Sequence, residues 1–348
     1  MQANTPFQEK AINTIRFLSA DAVQNANSGH AGQPMGSAAI AYTLFSKHLK
    51  FNPANPNWAD RDRFILSAGH GSMLLYSLFY LTGYEEMTME QLKQFRQPNS
   101  LTPGHPEYKH TAGVETTTGP LGQGLAVAVG MAMAEAHLAA VYNKDNHKVV
   151  DHYTYVIAGD GDLMEGITSE ASSLAGHLGL GKLICFYDDN RVTIDGGTEI
   201  TFTEDRAKRY EAYGWQVLHV EDGNNVEEID QAIIKAKADP RPSMIICRTH
   251  LGYGYPSWQG LSEAHSGIPS DEELAGAKEA LGYPVEPKFF VDEEVLAHYR
   301  EALPKGKEAE ARWESTLEDN SQNYADLAAQ FKRVISGKLP ENWQEVLP

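Results

Sequence analysis

Two apolar segments that each end in oxygen-bearing side chains most constrain the fold of this chain. Residues 153–158 read YTYVIA and lead into a Gly-Asp-Gly turn that contains Asp160; residues 183–187 read LICFY and lead into an Asp-Asp-Asn sequence that contains Asn190. Short apolar runs rich in β-branched and aromatic residues are typical of buried strands. A helix-length stretch separates the two runs, so the pattern predicts a βαβ unit with Asp160 and Asn190 at the same edge of a parallel sheet.

These two strand ends offer the ligands of a magnesium site shared with a diphosphate. Asp160 and Asn190 supply oxygens of the kind that Mg²⁺ takes together with phosphate oxygens. Gly161 lets a backbone N–H approach a phosphate closely. On its own the tripeptide is more typical of a tight turn, and asparagine alone is a common turn or cap residue. The pairing of both at adjacent strand ends favours the metal–diphosphate site.

The remainder of the chain repeats the alternation of strands and helices. Thr5-Pro6 with Gln8 predicts a capped first helix. Further strands are predicted at 63–67, 215–220 and 243–249, and further helices at 73–81, 123–142, 163–177 and 226–238. This order predicts an α/β fold, doubly wound, with a mainly parallel sheet and helices on both faces.

The character of the chain changes near its carboxyl end. From about residue 292 the sequence predicts charged amphipathic helices at 293–302 and 308–332. We therefore predict a diphosphate-binding domain over residues 1–320 that includes these helices, and a helix end with a linker over 321–348.

Four further sequence blocks carry a resemblance to a known family. They read SGH at 28–30, SAGHGS at 67–72, TPGHPE at 102–107 and GVETTTGPLGQG at 113–124. In this order, and together with the Gly-Asp-Gly…Asn motif of thiamine-diphosphate proteins, they resemble the transketolases. The resemblance runs from the first helix to about the last thirty residues. It covers only the amino-terminal, diphosphate-binding half of that family and implies its thiamine-diphosphate-binding fold.

The resemblance implies a role for individual residues. The implied metal ligands are Asp160, Asn190 and the backbone carbonyl of Val192, with Mg²⁺ as the ion and Ca²⁺ or Mn²⁺ as possible substitutes. The implied contacts to thiamine diphosphate are His70, Gly119, Pro120, Leu121, Gly161, Glu165, Asn190 and His265. The implied catalytic residues, which act on the sugar, are His30, His105 and His265. Two blocks depart from the family pattern, because Ala31 follows the first of these histidines and Ser266 follows the last.

The residues themselves leave some alternatives open. A single histidine is more often structural than catalytic, but four in short glycine- or proline-containing loops favour proton chemistry near neutral pH. For Glu165 the resemblance implies an acid that meets a catalytic glutamate of a partner chain, whereas the residue alone is equally well interpreted as an exposed acid stabilised by a helix dipole. The run at 113–124 is compatible with a plain glycine-rich connection, although that does not explain the threonines at 116–118.

The implied reaction moves a two-carbon ketol unit from a ketose phosphate to an aldose phosphate, as in the pentose phosphate pathway. The expected partners are sugar phosphates, a pyrimidine-binding domain of the same enzyme and, in the complete enzyme, a second copy in a homodimer. We expect a shortened chain or one subunit of a split enzyme, inactive by itself. The alternatives are a dihydroxyacetone synthase-type ketol transferase and a non-catalytic cofactor-binding module.

Composition excludes several other functions. A net charge of −18 and a pI near 5.1 argue against nucleic-acid binding and against docking to anionic membranes. Because the N-terminal residues lack an apolar core, we expect no signal peptide, and we expect no stretch to reach the length of a membrane span. The two cysteines, Cys185 and Cys247, lie in apolar runs and suggest buried thiols rather than a disulfide framework. We therefore expect a cytoplasmic location.

Overall fold

The computed structural model describes residues 3–144 and 147–347, and within them a parallel sheet of five strands organises the chain. In chain order the strands are β1 (Arg63–Leu66), β2 (Thr154–Gly159), β3 (Leu183–Asp189), β4 (Val192–Thr193), β5 (Gly196–Gly197), β6 (Gln216–Val220) and β7 (Ser243–Arg248). The parallel sheet has the order β1-β2-β3-β7-β6, while β4 and β5 form a separate antiparallel ribbon directly after β3. Because Gly159 pairs with Asp188, the chain leaves β2 and β3 at the same edge.

The helices connect and cover these strands. They are α1 (Pro6–Ala26), α2 (Gly32–Thr43), α3 (Ser72–Thr82), α4 (Met89–Lys93), α5 (Gln123–Tyr142), α6 (Asp160–Met164), α7 (Gly166–Leu178), α8 (Arg206–Ala212), α9 (Val226–Lys237), α10 (Glu263–Ser266), α11 (Asp271–Ala280), α12 (Glu293–Arg300), α13 (Ala302–Asn323) and α14 (Ala325–Ile335). A π-helical turn (Leu44–His48) and 3₁₀ turns at Gly69–Gly71, Thr198–Ile200 and Trp343–Val346 complete the elements. Helix α1 begins with the predicted capping box.

Both faces of the sheet are buried, as the sequence predicts. Successive residues of a strand point to opposite faces, so Tyr155 and Ile157 of β2 pack into the core beneath α1, α2, α3 and α9. Val156 and Ala158 pack into a second core formed with α5, α7 and α8. The prediction of a doubly wound α/β fold is therefore confirmed. The two cysteines are buried and unpaired, as expected.

The prediction of one continuous crossover helix at 163–177 is wrong in one respect, because the structure has two helices there, α6 and α7. The break falls at Glu165, whose backbone is extended at φ −69° and ψ 139°. Asp162 accounts for the break. Its carboxylate accepts hydrogen bonds from the backbone N–H groups of Gly122 and Gly159 and so fixes the short helix α6. Thr168 then donates its hydroxyl to the carbonyl of Asp162 and starts the second helix.

The predicted carboxyl-terminal helices also differ in detail. The predicted helix at 308–332 is divided at Tyr324, which has a non-helical backbone and lies near the ring of His147. Helix α13 runs through residue 320, and the domain boundary predicted there stays a prediction.

One expectation about membranes is corrected. Helix α5 has 20 residues and is apolar enough, by length and composition alone, to cross a membrane. One such helix is weak evidence for a span, since helices that pack inside a protein have the same composition. Here α5 packs on β1, β2 and α7. The two helices leave exposed Met133 of α5 and Ile167, Leu174 and Leu178 of α7, which we call the α5–α7 surface.

The amino edge of the sheet is closed by buried carboxylates. Asp62 accepts the N–H groups of Lys50 and Tyr153, both at 2.8 Å. Asp60 accepts the ammonium of Lys50 at 2.6 Å and the N–H of Asp151 at the same distance. These bonds tie the starts of β1 and β2 together, at the end of the sheet opposite to the residues described next.

Candidate active site

A cavity of about 450 Å³ opens at the carboxyl edge of the sheet, beyond the ends of β2 and β3. Open α/β sheets bind their ligands in this position. The cavity brings together nearly all the predicted site residues, namely His30, His70, His105, Gly119, Leu121, Asp160, Gly161, Glu165, Asn190, Val192 and His265. Pro120 is the exception, because it is exposed and lies outside the lining.

Asp160 and Asn190 lie at one end of this cavity. Asp160 begins α6, and its carboxylate accepts a hydrogen bond from the Tyr187 hydroxyl and another from the N–H of Arg191 at 3.0 Å. Asn190 accepts the N–H of Val192 on its amide oxygen at 2.9 Å. The loop that begins at Asn190 therefore folds back across the end of β2 and holds both side chains at the cavity wall.

The charge at this end suits a bound cation. Asp160 is 2% exposed, and burial, reinforced by the carboxylates of Asp189 and Asp188, raises its pKa to about 7 despite the hydrogen bonds that it accepts. A buried carboxylate next to other carboxylates is strongly stabilised by a positive ion. One carboxylate, one amide and one carbonyl form the hard oxygen set that Mg²⁺ shares with phosphates. Among residues 3–144 and 147–347 no three His, Cys, Asp or Glu side chains group as a metal cluster.

Two glycines keep the middle of the cavity open. Gly119 has φ +144°, and a Cβ there would lie 3.3 Å from the His105 ring. A Cβ on Gly161 would lie 3.0 Å from a methyl group of Leu121. Buried Asp162 fixes the loops, since it binds the N–H of Gly122 at 2.8 Å and accepts the hydroxyl of Ser67 at 2.7 Å. A flat ring and a diphosphate fit a wall built in this way.

Histidine rings form the other end. His30, His70 and His265 surround one another, with ring centroids 4.8 to 5.2 Å apart. Burial lowers the pKa of all three, and for His30 the added charges of His265 and Arg96 lower it to about 4. Burial and the nearby charge of Arg96 also lower the pKa of His105. At neutral pH the four rings are uncharged, so each offers one N–H donor and one nitrogen acceptor.

Sequence reasoning missed Gln33, which lines the cavity, and Arg96, which lies outside the lining but contacts His30. Arg96 has a left-handed backbone at φ 60°, donates to the Ser28 hydroxyl at 2.9 Å and lies 3.5 Å from Nδ1 of His30. Gln33 lines the cavity, and its amide oxygen is buried without a hydrogen-bond partner among the described residues. Arg96 lies outside the glycine-rich blocks and has no local signal. Gln33 lies three residues after His30, and that spacing could have indicated it.

Glu165 lies at the rim of the cavity. It is exposed at the junction of α6 and α7 and lines the opening. Its position leaves the carboxylate accessible to a molecule that covers the cavity. The α5–α7 surface includes the nearby Ile167, which is also exposed.

The chain is similar to known transketolases along its whole length. It is 56% identical over 343 residues to a transketolase of Geobacillus stearothermophilus, which covers 98% of this chain and 51% of that protein. It is 53% identical over 348 residues to a transketolase of a Nostoc species, covering 99% of this chain and 52% of the relative. The chain thus spans about half the length of these curated relatives.

Solved structures agree with this similarity. Transketolase from Pichia stipitis, solved in complex with sedoheptulose 7-phosphate, superimposes with a TM-score of 0.96 at 46% identity, over 99% of this chain and 51% of that one. Transketolase from Leishmania mexicana gives a TM-score of 0.96 at 44% identity, over 100% and 52% of the two chains. Residues 7–340 match the family described as transketolase, thiamine diphosphate binding domain. The chain therefore belongs to the transketolase family, as its thiamine-diphosphate-binding domain.

Proposed function

We propose that this chain supplies the metal- and diphosphate-binding half of a transketolase active site. The complete enzyme would transfer a two-carbon ketol unit from a ketose phosphate to an aldose phosphate, within the pentose phosphate pathway of the cytoplasm. The observation that carries the proposal is the division of one cavity into two ends. Asp160 and Asn190 form an anionic, oxygen-rich end, and His30, His70 and His265 form an uncharged, proton-exchanging end.

The oxygen-rich end would hold the metal. In this proposal Asp160, Asn190 and the carbonyl of Val192 bind Mg²⁺, for which Ca²⁺ or Mn²⁺ can substitute. Gly161 would give its N–H to the diphosphate, and Gly119 and Leu121 would line the place of the cofactor ring. When bound, thiamine diphosphate supplies the carbon nucleophile and the electron sink of the reaction.

The histidine end would handle the sugar. His30, His105 and His265 donate and accept the hydroxyl protons of a ketose phosphate, and His70 lies where it can contact both cofactor and sugar. Their lowered pKa values keep them neutral, so that each can accept a proton at neutral pH and return it later.

A second protein surface would complete the site. The α5–α7 surface exposes Met133, Leu174 and Leu178 by 38%, 43% and 45%. Large exposed apolar side chains on two helices that pack together are typical of protein interfaces. We assign this surface to the pyrimidine-binding domain of the same enzyme and to the homodimer that it forms, with Glu165 facing the partner across the cavity rim.

Calorimetric titration of thiamine diphosphate into the purified chain tests the proposal. We expect measurable binding with MgCl₂ and at least about tenfold weaker binding with a chelator, because the metal offsets the charge between the diphosphate and the buried acids. Asp160→Asn should reproduce the chelator result in the presence of magnesium. Asp239→Asn, which removes a carboxylate paired with Arg241 outside the cavity, is the control and should bind like the parent. Equal binding with and without magnesium would contradict the assignment of the metal site.

A further inference from the structure

Asp188 is a buried carboxylate without a cation. It is the sixth residue of β3 and is 1% exposed, yet no lysine, arginine or histidine among the described residues forms an ion pair with it. Burying an ionised carboxylate is costly unless hydrogen bonds or charges compensate. Its partners are neutral donors: the hydroxyl of Thr249, the side-chain amide nitrogen of Asn190 at 3.2 Å and the hydroxyl of Ser37.

The contact with Asn190 determines how its amide is turned. The two ends of an asparagine amide have nearly the same shape, but one donates hydrogen bonds and the other accepts them. A carboxylate only accepts, so the amide nitrogen must face Asp188. The amide oxygen then faces the opposite way, where it accepts the N–H of Val192 at 2.9 Å.

We propose that Asp188 is a positioning residue that fixes the Asn190 amide with its oxygen toward the bound metal. The inference rests on the proposed function, because it assumes that Asn190 is a metal ligand. If Asn190 were rotated by half a turn, its N–H₂ group would face the cation and repel it. Partners that orient metal ligands in this way typically change metal affinity 10–100-fold when they are removed.

Two further elements hold Asp188 itself. Asp188 pairs with Cys247 in the sheet, which brings Thr249, just beyond the end of β7, against its carboxylate. Ser37 lies on α2, seven residues after His30 in the sequence. The orientation of one proposed ligand thus depends on β3, β7 and α2 together.

The experiment compares Asp188→Asn with Asp62→Asn. Both replace a buried carboxylate by an amide of the same size, but Asp62 lies at the amino edge of the sheet and accepts only backbone N–H groups near β1 and β2. Binding of Mn²⁺ in the presence of thiamine diphosphate is followed by electron paramagnetic resonance, and thermal unfolding is followed without either ligand. We expect Asp188→Asn to bind Mn²⁺ about 10–100-fold more weakly, and Asp62→Asn to keep the parent affinity although it unfolds at lower temperature.

The outcomes are distinct. Parent-like Mn²⁺ affinity in Asp188→Asn, or an equal loss in Asp62→Asn, would overturn the inference. If Asp188→Asn does not fold, Thr249→Val removes one donor to the carboxylate and should weaken Mn²⁺ binding in the same direction, whereas parent-like affinity would again overturn the inference. If the parent chain itself binds no Mn²⁺ with the cofactor, the proposed function fails instead.

Discussion

At the scale of one residue, His30 shows how its surroundings in the fold lower the pKa of a histidine. Its ring is packed against His70 and His265 and lies beside Arg96. Burial, together with His265 and Arg96, lowers its pKa to about 4. An imidazole in water has a pKa near 6.5. Between about pH 4 and pH 6.5 the His30 ring is therefore mostly neutral in the folded chain and mostly protonated in the unfolded chain.

A pH prediction follows from that difference. Between about pH 6.5 and 4 the unfolded chain binds the additional proton, so the contribution of His30 to stability falls as the pH falls. After allowance for partial exposure, we expect parent stability to drop by about 1 kcal/mol relative to His30→Gln between pH 7.5 and 5. Urea unfolding of both proteins at the two pH values measures this. Buried acids with raised pKa values, such as Asp21 and Asp62, change in the opposite sense but are common to both proteins. If the difference in free energy of unfolding between the parent and His30→Gln does not vary with pH, the lowered pKa of His30 is contradicted.

At the scale of elements, the sequence indicated much of the fold because the strands are short apolar runs between glycine-rich loops. Helix α5 begins and ends at its predicted residues, and β2 and β3 differ by only a residue or two. The break at Glu165 was not predictable, because it depends on Asp162 bonding to Gly122, forty residues away. The positions of Asp160 and Asn190 could be predicted because each side chain follows a strand. Arg96 was missed because its contact with His30, like that of Asp162 with Gly122, joins residues that are far apart in the sequence.

Helix α7 offers a test of how closely the elements pack. A Cβ on Gly176 would lie 1.7 Å from the carbonyl oxygen of Tyr213, whereas a Cβ on Gly130 of α5 would meet no atom within 4 Å. We expect Gly176→Ala to destabilise the chain by about 2–3 kcal/mol, because a backbone carbonyl must move. Gly130→Ala should stabilise it by about 0.5–1 kcal/mol through its better helix propensity. Chemical unfolding of both variants measures the difference, and similar stabilities would show that α7 does not pack against this loop as described.

At the scale of the whole molecule, the cavity reaches the protein surface, where exposed Glu165 and Ile194 belong to its lining. The residues assigned to the metal, the diphosphate and the sugar line its wall, and exposed Ile167 of the α5–α7 surface lies two residues after Glu165 of the rim. We propose that a pyrimidine-binding domain covers both. Ile234 of α9 is also exposed, by 48%, but lies on a helix that covers the opposite face of the sheet.

Reconstitution of ketol transfer tests this arrangement. We expect the chain alone to show no appreciable activity, and activity to appear when a separately produced pyrimidine-binding half of a related transketolase is added. Leu174→Asp should reduce that activity at least about tenfold, since it buries a charge in the interface, while its unfolding temperature stays near that of the parent. Ile234→Asp is the matched control and should assemble normally. Full activity of the chain alone, or equal losses in both variants, would contradict the proposed interface.

The buried carboxylates at the amino edge have a consequence for protein engineering. Asp60 and Asp62 tie the strands where they start, while Asp160 and Asn190 lie where they end. Strand β2 has six residues and separates the two groups by about 20 Å. Substitutions that far apart usually have additive effects. Thermostability can therefore be redesigned at the amino edge as an independent variable, without disturbing the side chains that line the cavity at the other edge.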